Sequence, residues 1–375
     1  MRAFAKAVNI EASTPARVVG IIMAHEEMPL LLVSVSYALL NHVEKVLVIN
    51  HSLSESSRED LSLLTEVWED RVTILDIIDE NFEQAAVTNA AVDIARTLEP
   101  DWIYIFDSDE FLLTNTGAGL SEYLGTIPRR IKEIRYGFKD WISFTDFNEE
   151  NLDDYLKLRF RTKYSHIEIT REKLLFKRIL GIRPTTLNSG SMQKILFRNE
   201  KRSTNWIAAG THYQLKKYVK FLETDFIYGA HLSLLSWPRL QRKAKMGGRL
   251  INGGFSPEHG WHAQELYRHP DLYGYWLEHS FELGTGDTPG LLTDSIEDEK
   301  LVQSLKSTID FLRLNIVIEG DGQVWSSRKP ILVRGSVFEL QRRFTDLVQK
   351  KMKFEKSYIY KILSRWHVFY TDYFS

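Results

Sequence analysis

The chain has 375 residues, 43% hydrophobic and 26% charged, and its 48 Lys and Arg nearly balance 50 Asp and Glu for a formal net charge of -2. This composition excludes a disordered chain, which lacks the apolar surface to offset its conformational entropy, and the near-zero charge argues against nucleic acid as a partner. With no cysteine, disulfide scaffolds, thiolate metal sites and cysteine nucleophiles are excluded, so a metal would need oxygen or imidazole ligands.

The first hundred residues alternate short apolar runs with helical periodicity, the pattern of βα units feeding a mainly parallel sheet. Residues 17–24 (RVVGIIMA) form a near-continuous apolar run, as expected of a strand covered on both faces, and a helix follows from about 29 to 41. Residues 45–50 (KVLVIN) give the second strand, and the polar segment 52–58 opens a helix with serine available as N-cap. Residues 71–77 (RVTILDI) give the third, followed by an alanine-rich helix from about 82 to 98. The fourth strand, 101–106 (DWIYIF), stops abruptly at Asp107, Ser108, Asp109 and Glu110.

Beyond Leu113 the pattern changes. Residues 131–138 read as one further strand, and 139–177 mix charges and aromatics without a sustained period, as an inserted or substrate-side region would. Residues 196–212 are strand-rich, 226–231 form another strand, and 237–247 a short basic helix. Five glycines within 247–269 predict a loop there, because they leave little to fix the backbone. A helical period from 297 to 314 precedes a Gly-Asp-Gly turn at 320–322.

The expected architecture is therefore α/β, a Rossmann-like, mainly parallel sheet with helices on both faces and a C-terminal helical extension. Its expected divisions are an N-terminal arm at 1–16, a main domain at 17–250 with halves at 17–125 and 126–250, a loop and helical extension at 251–323, and a tail at 324–375. No apolar run reaches the ~18 residues needed to span a bilayer, and residues 1–15 lack a secretory apolar core, so a cytoplasmic location is expected.

Asp107 and Asp109 stand just past a buried strand, and ligands of open α/β sheets bind beyond the strand carboxyl ends. Two carboxylates so placed can converge on one hard cation, Mg²⁺ or Mn²⁺, that bridges the phosphates of a nucleotide.

Three segments, IIMAHEE at 21–27, LVINHSLSES at 47–56 and IYIFDSDEFL at 103–112, together resemble the nucleotide-sugar half of the family 2-like glycosyltransferases, which have the GT-A fold. The resemblance covers 17–125 and continues more weakly to about 250, where GAHLSLLSWPRLQRKAKMGG at 229–248 is similar to the family's later histidine, serine and basic helix. It implies transfer of a sugar from a nucleoside-diphosphate sugar donor to a glycan or lipid-linked acceptor, with Mn²⁺ or Mg²⁺ and inversion of configuration. It places Glu26 at the base or ribose, Glu55 at the second-strand aspartate, Asp107 and Asp109 at the metal and sugar nucleotide, and His231 as third metal ligand. Arg239 or Lys243 would pair with the diphosphate. His212 competes with His231. The chain departs from the family pattern at His25, which replaces the usual Asn, at Asn50, which replaces a common Asp, and in the length of Glu55.

The acceptor base is open among Asp140, Asp146, Glu200 and Glu258. Asp140 is preferred because it follows a predicted strand beside Trp141, whose ring would suit a sugar. The rival enzyme class, nucleotidyltransferases of similar fold, usually begins with a Gly-rich phosphate loop after the first strand, and residues 25–32 contain none. A degenerate sugar-nucleotide-binding scaffold is the non-catalytic alternative.

Residues 324–375 hold 11 Lys and Arg against 4 Asp and Glu, leaving the preceding residues at -9. With 11 of the chain's 45 aromatics, this tail is suited either to peripheral contact with an anionic membrane surface or to a helix packing its aromatics on the main domain.

Overall fold

The computed structural model describes residues 14–24, 28–50, 55–77, 84–115, 119–162, 194–200, 207, 219–254, 261–280, 295–319, 324–327 and 337–355. The βα units of the first half appear nearly where the apolar runs place them: β1 (Val18–Ala24), α1 (Met28–Asn41), β2 (Lys45–Asn50), α2 (Glu55–Trp68), β3 (Val72–Asp76), α3 (Gln84–Arg96) and β4 (Trp102–Phe106). Then come β5 (Glu110–Thr114), α4 (Leu120–Thr126), β6 (Glu133–Tyr136), β7 (Phe138–Ile142), α5 (Leu152–Tyr155) and β8 (Phe160–Thr162). The second half comprises β9 (Lys194–Arg198), β10 (Phe221–Glu223), β11 (Ile227–His231), α6 (Trp237–Asn252), α7 (Trp261–Arg268), α8 (Leu272–Glu278), β12 (Ser295–Glu297), α9 (Lys300–Asn315), β13 (Ile316–Glu319), β14 (Val324–Ser327) and α10 (Val337–Glu355).

The first sheet has the order β10-β6-β9-β4-β1-β2-β3, in which every strand but β9 runs the same way. Its alternating side chains build two cores. Val18 and Ile22 face the core that holds α1 and α2, and Val19 and Ile21 face the core that holds α3. Coverage on both faces is why these strands read as unbroken apolar runs rather than alternating ones. A second sheet, β12-β8-β7-β11-β5, is mixed, and β13 and β14 pair antiparallel.

Two sequence expectations need correction, and one alternative is decided for part of the tail. Residues 131–138 are not one strand: β6 belongs to the first sheet and β7 to the second, and the chain changes sheets at Gly137, whose carbonyl accepts the Gly229 N–H at 2.9 Å. The expected loop at 247–269 is largely helical, since α6 runs on to Asn252 and α7 covers 261–268. Its glycines serve contact instead: a Cβ on Gly247 would strike the Ala263 backbone of α7. The tail is also folded where described, with Phe344, Val348 and Met352 of α10 buried at helical spacing in the core beside α3. That is the packing alternative for 337–355; the last twenty residues lie outside the described ones.

α10 also covers an exposed sheet edge. β3 is the last strand of the first sheet, and the Gln341 amide both accepts the Asp76 N–H and donates to the Asp76 carbonyl, each at 2.8 Å. One side chain thus imitates a neighbouring strand. Among the described residues no helix is long and apolar enough to cross a membrane.

Candidate active site at the end of the fourth strand

In the first sheet, β2 and β3 lie on one side of β1 and the parallel β4 on the other, so the strand order switches sides between β1 and β4. A crevice opens at the carboxyl ends of such a pair. Asp107 stands at that end of β4, and the turn through Ser108 and Asp109, closed by Glu110 N–H to the Asp107 carbonyl at 3.1 Å, carries the chain into the second sheet. Register then brings three titratable side chains together: His231 of β11 pairs with Glu110 of β5 on one side and with Asp140 of β7 on the other. The His231 Nδ1 lies 2.8 Å from Asp140 Oδ1. Burial works to lower the His231 pKa, but this bond and the nearby Asp109 carboxylate raise it above the ordinary value.

The cations come from two further elements. Lys194, the first residue of β9 and 3% exposed, reaches Asp107 at 2.7 Å and Glu110 at 3.3 Å. Glu110 also accepts the Asp107 N–H at 3.2 Å. Burial pushes the Glu110 carboxyl up to about 7 against the pull of Lys194, with Asp107 adding to the rise. Burial would lower Lys194, yet Asp107 and Glu110 hold it above the ordinary lysine value.

α6 supplies the other two. Ser236 caps the helix by accepting the Arg239 N–H at 3.3 Å and also donates to Glu149. Four residues apart, and so on one helix face, Arg239 and Lys243 both point at the turn. Lys243 Nζ is 2.9 Å from Asp109 Oδ2 and 2.9 Å from the Ser233 carbonyl, and Arg239 Nη2 is 3.4 Å from both Asp109 Oδ2 and Ser108 Oγ. Although burial tends to raise the Asp109 pKa, Lys243 and Arg239 hold it well below the usual carboxylate range.

Asp107, Asp109, Asp140, His231, Arg239 and Lys243 are thus gathered around one strand end. Glu26, His212 and Glu258 lie outside the described residues, and Glu55 is placed only as the first residue of α2. Of the remaining base candidates, Asp146 is exposed and Glu200 is paired with Lys132 at 2.9 Å, beyond the opposite end of β9 from Lys194. Asp140 is 1% exposed behind the His231 ring, so it reaches an acceptor only through that ring. Trp141 is buried, with Tyr228 stacked at 6.4 Å, and offers no platform to a sugar.

Sequence reasoning missed Lys194 and Glu110. Glu110 was legible as the first residue of a strand opposite His231 once the pairing is known. Lys194 carried one signal, a lone charge opening the apolar run KILF.

The implied metal fits this site unevenly. Asp107 is 52% exposed at the carboxyl end of β4. His231 is backed by Asp140 as metal-binding imidazoles commonly are, and would give up its proton on binding. Asp109 does not fit, being 10% exposed and bonded to two cations. Among the described residues no group of three His, Asp or Glu is arranged to hold a metal ion. In comparisons with known proteins, no family model and no curated protein matches this chain.

Proposed function

We propose that this chain is a glycosyltransferase that moves a sugar from a nucleoside-diphosphate donor to a hydroxyl of a glycan or lipid-linked acceptor, with inversion. The observation that carries this reading is the half-exposed Asp107 carboxylate just beyond β4, where the strand order switches sides of β1. Asp107 and His231 would hold Mn²⁺ or Mg²⁺, which supplies charge to the departing diphosphate. Lys194 fixes Asp107, and Asp140 fixes the His231 ring. The α/β order β3-β2-β1-β4 and the resemblance of 17–125 to the GT-A glycosyltransferases support the same reading.

Calorimetry tests it. Uridine and guanosine diphosphates are titrated into the chain with and without Mn²⁺. Metal-dependent binding is expected, weakened about tenfold or more by Asp107→Asn. An unchanged Kd in that variant contradicts the reading. Release of pyrophosphate from a nucleoside triphosphate would instead support nucleotidyl transfer, and no nucleotide binding at all would support a scaffold.

A further inference from the structure

We infer that the two aspartates of the turn have separate tasks: Asp107 alone faces the ligand, while Asp109 anchors helix α6 against the strand end. The first task rests on the proposed function; the second does not. Position and surroundings divide the two carboxylates. Asp107 is 52% exposed, Asp109 10%. Lys194 reaches Asp107 from β9 in the sheet floor. Lys243 and Arg239 reach Asp109, both from α6.

The Asp109 residue ties both neighbouring elements. Its carbonyl accepts the Leu232 N–H at 2.8 Å, just past β11, and its carboxylate holds the helix that begins five residues later. Lys243 in turn bonds the Ser233 carbonyl, so the turn, the end of β11 and the first two turns of α6 form one closed set of bonds. A divalent cation on Asp109 would have to displace the partly exposed Lys243 and the buried Arg239, whose side chain is 3% exposed. Displacement of that kind is costly, because it leaves charges desolvated and unpaired. The basic residues expected to meet the diphosphate therefore serve first to seat their own helix.

The test uses the full chain and reads Mn²⁺ by electron paramagnetic resonance, with uridine or guanosine diphosphate present, and α6 by hydrogen exchange. Asp107→Asn is expected to lose Mn²⁺ affinity about tenfold or more, and Asp109→Asn to keep it within about twofold. Asp109→Asn should speed exchange of the amides in 237–252, and Asp109→Asn with Lys243→Met should restore it in part, since Arg239 is then the one α6 cation left without the Asp109 carboxylate. The double variant also carries the Mn²⁺ readout if the single one fails to fold. Loss of Mn²⁺ affinity in both Asp109 variants with unchanged exchange overturns the inference. Absence of Mn²⁺ binding by the unaltered chain overturns the metal reading and the task given to Asp107, whereas the anchor is judged by exchange alone.

Discussion

Replacing Gly247 by Ala should destabilise the protein, although the same change in a helix interior ordinarily stabilises by about 1 kcal/mol. A Cβ on Gly247 would overlap the Ala263 carbonyl and come within 2.7 Å of the Gln264 nitrogen, and neither backbone atom can rotate away. α6 and α7 would have to move apart, opening the small core of Leu234, Leu240, Ala244, Leu266 and Trp276. Overpacking of this kind costs about 1–3 kcal/mol, so after the propensity gain of about 1 kcal/mol a net loss of up to about 2 kcal/mol is expected. Gly248 is the internal control. A Cβ there meets the ring of Tyr267, 2.6 Å away at its nearest atom, but that side chain is half exposed and can swing into solvent. Gly248→Ala should therefore change stability by less than about 0.5 kcal/mol in the destabilising direction. Urea denaturation of the two variants measures the difference. Equal stability, or Gly247→Ala the more stable, would refute the close approach of α6 and α7.

Three further outcomes follow from particular contacts. His42 is buried with its Nε2 2.6 Å from the Leu112 carbonyl, and burial lowers its pKa to about 4. The folded value lies below the unfolded one, so this stabilisation is complete above about pH 6.5 and fades as the pH falls toward 4. It amounts to on the order of 3 kcal/mol, and His42→Gln should flatten stability against pH in that window; identical slopes would contradict this. Gln341→Ala removes both hydrogen bonds to Asp76 and uncovers the β3 edge, for a loss of about 1–2 kcal/mol by denaturation and more self-association by light scattering. Lys194→Met leaves Glu110 buried without its cation and should cost about 2–3 kcal/mol, at the low end for a broken buried pair because Asp107 remains half in solvent. A loss below about 0.5 kcal/mol in denaturation would show that Lys194 does not hold the turn.

Much of the first half was legible because strands buried on both faces leave uninterrupted apolar runs, and β1 to β4 fall within a residue or two of those runs. The location of Asp107 followed directly. What sequence alone could not carry was sheet membership. β6 and β7 differ by one intervening glycine, and nothing in the apolar pattern of 131–138 says that the chain there leaves one sheet for another. The pairing of His231 with Glu110 and Asp140 depends on that same crossing, so the row of titratable groups was hidden with it. Composition misled in the region of Gly247, where glycine marks close packing rather than freedom. At Lys243 and Arg239 the sequence shows a basic helix face but not the internal carboxylate, Asp109, that both side chains meet.

Turnover of sugar nucleotides tests glycosyl transfer most directly. A panel of uridine- and guanosine-diphosphate sugars is incubated with the chain and Mn²⁺, without acceptor, and free nucleoside diphosphate is quantified. Slow release from one donor is expected, and it is lost in Asp107→Asn. Release that survives Asp107→Asn, or no release from any donor alongside pyrophosphate from a nucleoside triphosphate, would contradict the account.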